Sequence, residues 1–142
     1  MKSKIVILFL LSATFSFVGC DKEEPEIVPN VYVNYEININ EPAYINLTVP
    51  LGAVKISNIG YNGNGVIVFR KDDSEILAFD ATCPQHMDYN SSVRLDENGS
   101  GTATCPHCGT KYYLFNYGYP SSGYRLKEYN VTFYGNYVKI SN

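Results

Sequence analysis

Residues 83–112 read CPQHMDYNSSVRLDENGSGTATCPHCGTKY, and the reading of the whole chain turns on this stretch. Its two ends are short loops, Cys83-Pro84-Gln85-His86 and Cys105-Pro106-His107-Cys108-Gly109. Together they hold both histidines of the chain and three of its four cysteines. Metal ligands need lone pairs from several side chains aimed at one point, and a C-x-x-C or C-x-x-H turn supplies two from four residues because the backbone curls around the ion. Pro106 fixes φ after the first ligand. Gly109 permits a positive φ after the second, which leaves backbone N–H groups free to point at sulfur. Between the loops, 92–96 and 101–104 are strand-like runs joined by 97–100, and closing that hairpin lays Ser91 or its neighbours beside Cys105, so both loops open at the same end. The expected metal ligands are Cys83, His86, Cys105 and Cys108. His107 is an alternative ligand, but neighbours in a tight turn rarely aim the same way, and it is placed outside the set. The competing reading has no metal and a disulfide between Cys105 and Cys108.

Outward from this stretch the pattern is that of strands. In 31–39, Val31, Val33, Tyr35, Ile37 and Ile39 alternate with polar or small residues, a strict period of two with one buried face. Further strands are expected at 43–49, 54–59, 65–70 and 75–79, the last two joined by the Lys71-Asp72-Asp73-Ser74 turn. After the second loop come 111–115, 128–134 and 137–140, with Gly135-Asn136 closing the final hairpin. No apolar set recurs at helical spacing over three turns. The 142 residues allow one domain, and 13 Tyr with 7 Phe and no Trp lean the same way, toward an all-β protein. Eight of the Tyr fall between Lys111 and Tyr137, where rim packing is the simplest role and a ligand-binding surface the alternative.

Charge excludes one class of function. Eleven Lys and Arg against fourteen Asp and Glu give a net charge of -3, which leaves no basic surface for a phosphate backbone, so nucleic acid is not an expected partner.

The N-terminus carries an address. Lys2 and Lys4 precede an apolar run from Ile5 that stops at Gly19-Cys20, followed by Asp21-Lys22-Glu23-Glu24. This is a basic segment, a short apolar segment and a small residue at a cleavage point, too short and too interrupted for a membrane span. Phe17-Val18-Gly19-Cys20 is similar to a bacterial lipobox. That similarity implies a lipoprotein signal peptide at 1–19, lipidation of Cys20, and an acidic tether at 20–30 before a β domain at 31–142. The implied location is the cell envelope, with a lipid anchor in the outer membrane; the acidic tag leaves surface display open. Met1-Lys2-Ser3-Lys4 lacks the twin Arg of the route that exports folded proteins, so no assembled cluster crosses with the chain.

From about Gly65 to Ile140 the chain resembles the Rieske [2Fe-2S] domain, in which two loops joined by a β-hairpin hold a cluster at the tip of a small antiparallel structure. Ala78-Phe79-Asp80-Ala81-Thr82-Cys83-Pro84 resembles the strand and first cluster loop. Cys105-Pro106-His107-Cys108-Gly109-Thr110-Lys111-Tyr112 resembles the second, and Gly118-Tyr119-Pro120-Ser121-Ser122-Gly123 the proline-containing third. The resemblance implies a small antiparallel Rieske-like barrel or sandwich with a two-loop metal-binding subdomain at about 80–124. It also implies a [2Fe-2S] cofactor, an electron-transfer role and a redox protein partner. In family terms Thr110 and Tyr112 sit where hydroxyls donate toward cluster sulfurs. The ligand set differs: the family uses Cys-x-His and Cys-x-x-His, whereas Cys83-x-x-His86 is one residue longer and Cys108 replaces a His. A Cys₃His set also suits structural zinc, the alternative cofactor, in which the metal staples the loops of a surface binding module.

Overall fold

The computed structural model describes residues 25–88, 91–98 and 101–142; the expected signal peptide at 1–19 and Cys20 lie outside them. Among the described residues ten strands form two antiparallel sheets. The larger has the order β1 (Asn34–Asn38), β10 (Tyr137–Ser141), β9 (Glu128–Tyr134), β4 (Ile76–Asp80), β3 (Val66–Arg70) and β2 (Ala53–Ile56). The smaller has the order β5 (Arg94–Leu95), β6 (Thr102–Thr104), β7 (Lys111–Tyr113) and β8 (Tyr119–Pro120). Both sheets are antiparallel throughout and the only helical elements among the described residues are short 3-10 turns, the all-β class that the residues led us to expect.

Strands β3 and β4 explain how the parts hold together. Val66–Arg70 and Ile76–Asp80 are buried at every position, which is why both read as unbroken apolar runs and not as alternations. Their pleat sends Val66, Val68, Ile76 and Ala78 into one core with Ile37, Leu47, Val138 and Ile140. Ile67, Phe69, Leu77 and Phe79 face a second core with Val93, Ala103, Tyr112, Leu114 and Leu126. Cys83 and Cys105 belong to that second core. The two cysteine loops therefore rise from packed apolar ground.

The hairpin signals hold. Arg70 pairs with Ile76 across the 71–75 turn, where Asp72 Oδ1 accepts from the N–H groups of Ser74 and Glu75 at 2.7 and 2.9 Å. Tyr134 pairs with Tyr137 across Gly135-Asn136, and φ is positive at Gly135 alone, the pattern of a type II′ turn.

Three strand expectations are corrected. Residues 43–49 are not a strand: Pro42–Thr48 is a 3-10 helix with Pro42 at its start. Proline lacks the N–H that a first turn leaves unpaired anyway, and its fixed φ suits helix initiation. Only Leu47 of this segment is buried, whereas Ile45 and Val49 point outward, so the apolar letters never formed a sheet face. Strand β2 ends at Ile56, with a 3-10 turn at Tyr61–Gly63, and β7 ends at Tyr113, with another at Leu114–Asn116. The acidic segment expected as a free tether is seated from Glu26. Val28 is buried, and Glu26 forms an ion pair with Lys127, whose side chain is 4% exposed.

Candidate metal centre

The first loop leaves β4 through a polar knot. Asp80 is fully buried. Its Oδ1 accepts from the Thr82 N–H at 2.8 Å, and its Oδ2 from the Tyr61 N–H at 2.7 Å and the Tyr129 hydroxyl at 2.6 Å. The Thr82 hydroxyl accepts from Asn64 Nδ2 at 2.9 Å, and Lys55 Nζ reaches from β2 to Ser92 Oγ and the Val93 carbonyl at 2.6 and 2.8 Å. This knot fixes where the chain enters the loop. The Cys83 N–H then bonds to the Ser91 carbonyl at 3.0 Å, and the His86 N–H turns back to the Cys83 carbonyl at 3.3 Å.

The second loop is held by its own hairpin. Arg94 pairs with Thr104 and Leu95 with Ala103, which sets Cys105 at the level of Val93, two residues from Ser91. The Cys105 N–H bonds to the Thr110 carbonyl and the Gly109 N–H to the Cys105 carbonyl, both at 2.9 Å, closing the turn with Gly109 at φ 71°.

Four side chains meet where the loops meet. One donor atom each from Cys83, His86, Cys105 and Cys108 lies within 4.8 Å of all the others. The Cys83 and Cys108 sulfurs are 3.7 Å apart. The His86 ring lies between two sulfurs, Nδ1 at 3.9 Å from Cys83 Sγ and Nε2 at 3.7 Å from Cys105 Sγ. All three cysteines are free thiols, including the Cys105 and Cys108 of the competing disulfide reading. His107 stands apart from them; its ring centroid is 4.3 Å from that of His86, and with His86 and Asp88 it makes a second group of donor atoms.

The three thiols are chemically unequal. Burial pushes the Cys83 thiol up to about 12, only partly offset by hydrogen bonds from the Tyr112 hydroxyl and the Gln85 N–H. Slight burial raises Cys108 too, but hydrogen bonds from the Thr110 hydroxyl and N–H outweigh it and hold this exposed thiol below the ordinary value. Thr110 Oγ1 is 3.1 Å from Cys108 Sγ, and Tyr112 Oη is 3.1 Å from Cys83 Sγ. Tyr112 is itself held well above the usual phenol range by burial and by Cys83.

Sequence reasoning missed the Asp80 knot and the grouping of Asp88 with His86 and His107. A lone carboxylate ending the apolar run Ile76-Leu77-Ala78-Phe79 was the available signal, because a buried carboxylate requires donors around it.

The chemistry of the donors suits thiolate-held iron or zinc. Their spacing suits one ion: two thiolates about 2.3 Å from a tetrahedral zinc stand about 3.7 Å apart. A binuclear cluster separates its two ligand pairs by the whole iron–iron axis, and so by more than one tetrahedral edge.

No protein-family model matches the chain, and no curated protein matches it. Among solved structures the chain is similar to the ferredoxin of carbazole 1,9a-dioxygenase from Nocardioides aromaticivorans IC177, at 16% identity and TM-score 0.48, over 79% of this chain and 98% of that one. A quaternary ammonium Rieske monooxygenase in its apo form matches at 18% identity and TM-score 0.49, over 82% of this chain and 34% of that one. A complex of reduced oxygenase and oxidized ferredoxin in carbazole 1,9a-dioxygenase matches at 21% identity and TM-score 0.44, over 65% of this chain and 82% of that one.

Proposed function

We propose that this chain is a lipid-anchored redox module of the cell envelope, built on a Rieske-like β scaffold. In this reading Cys83, His86, Cys105 and Cys108 hold an iron–sulfur centre, [2Fe-2S] in the family's form, for which the two loops have to part by the iron–iron axis, and the partner is a redox protein. The observation that carries the reading is the convergence of three thiols and one imidazole at the meeting of two loops. When bound, such a centre supplies one-electron transfer. The protein's own part is positional: Cys83 and Cys105 are fixed in the second core, while Cys108 is exposed and marks the edge toward a partner. The hydroxyls of Thr110 and Tyr112 lie at hydrogen-bonding distance from sulfur, where donation would stabilise added negative charge and raise the reduction potential. In this reading the anchor is a lipidated Cys20, supported by the lipobox-like Phe17-Val18-Gly19-Cys20 at the end of the N-terminal apolar run.

The donor spacing favours a second reading, a single zinc ion that staples the loops of a binding module without redox chemistry. Elemental analysis and a visible spectrum of protein purified from its native host without oxygen separate the two. An iron–sulfur protein is coloured and bleaches on reduction, with about two irons and two labile sulfides per chain for [2Fe-2S]. One zinc, no iron and no colour would overturn the redox reading. The same sample tests the anchor: an acylated Cys20 at the N-terminus is expected by mass spectrometry, and an intact Met1 would refute it.

A further inference from the structure

His107 is the member of the Cys105–Gly109 turn that the thiol set does not use. The donor atoms of His86, Asp88 and His107 all lie within 4.8 Å of one another. Asp88 and His107 are exposed, and His86 is half-buried between them and the thiols. The backbone that carries Asp88 is fixed, because its carbonyl accepts from the Ser91 N–H at 3.1 Å and from the Ser91 hydroxyl at 2.6 Å. Two imidazoles and a carboxylate are a donor set for a divalent first-row transition metal. Water reaches this set from outside, whereas Cys83 and Cys105 are completely buried. The two sets share one residue, His86.

We propose that His86, Asp88 and His107 form a second metal site, a capture site for a divalent transition-metal ion, from which the ion passes inward to the thiols by ligand exchange around His86. The proposal rests on the single-ion reading of the centre formed by Cys83, His86, Cys105 and Cys108. The hydrated ion gives up water to bind the outer set. His107 and Asp88 then dissociate while His86 stays bound, and Cys108, the exposed sulfur, replaces them first, followed by Cys83 and Cys105. Each thiol releases its proton to water as it binds, and the ion keeps its charge throughout. A relay of this kind fits the expected export route, in which a chain that crosses unfolded has to collect its metal afterwards, past loops that have closed over Cys83 and Cys105.

Cobalt is the probe, because a cobalt–thiolate absorption band reports filling of the inner set alone. Full-length protein, metal-free and reduced, is mixed with Co²⁺ in a stopped-flow instrument. The expected result is that His107→Ala develops the band about tenfold more slowly than wild type yet reaches the same final intensity. His107 is exposed, so this variant keeps its fold. A variant with Cys83, Cys105 and Cys108 all changed to Ser should still take up one Co²⁺ by calorimetry and lose it on adding His107→Ala. Loading of His107→Ala at the wild-type rate would overturn the capture site and leave the thiol centre standing. A wild-type chain that never develops the band would remove the thiol centre and the capture site with it.

Discussion

Cys83, Cys105 and Cys108 are the same letter three times, and the fold makes them different reagents. Cys108 is exposed, with a thiol held below its ordinary value, whereas Cys83 is buried and raised to about 12. In metal-free protein at pH 7.5, iodoacetamide should modify Cys108 first and Cys83 slowest, as read by peptide mass spectrometry; equal labelling would contradict the geometry. The sign of the pH effect follows from the same shift. The Cys83 thiol titrates near 8.5 when unfolded and higher when folded, so its contribution to metal-free stability is complete below about pH 8.5 and disappears as pH climbs toward 12. A urea midpoint that falls above pH 9 in wild type, and less in Cys83→Ser, is the expected observation. The spacing of the two loops and the hairpin between them are written in the sequence, because local turns depend on Pro, Gly and a short register. Exposure is not, since it depends on which core lies beneath each residue.

The elements that were legible are those with a single dominant cause. Strands β3 and β4 announce themselves as apolar runs because both faces are buried, and β1 as an alternation because one face is. The segment Pro42–Thr48 was misread because its apolar content does not become burial; one residue, Leu47, docks and a helical turn satisfies the backbone. The knot at the end of β4 was illegible for another reason: its donors, Tyr61, Thr82 and Tyr129, are scattered along the chain and meet only in space. Asp80→Asn puts an amide N–H among donors that need an acceptor, and the expected cost is at least about 2 kcal/mol in urea unfolding of the metal-free protein. An unchanged midpoint would show that the knot does not hold the loop.

On the scale of the molecule, two cores share one pair of strands, and only the second touches the ligand loops. Removing the metal with a chelator should therefore lower the melting temperature and speed amide exchange in Thr102–Thr104 and Lys111–Tyr113, with β1 and β10 protected as before. Uniform loss of protection across both sheets would refute this division. The seated N-terminal segment has its own consequence. Glu26 and Val28 are fastened to the domain, and Pro25, Glu26 and Val28 face Tyr124, whose carbonyl accepts from Gln85 between two of the ligands. Were Cys20 lipidated as proposed, the five residues of chain from Cys20 to Pro25 would span at most about 17 Å. A domain on so short a leash would sample a shallow disc above the bilayer, so a partner in the same membrane would be met by lateral diffusion in two dimensions and one floating free only where that disc allowed.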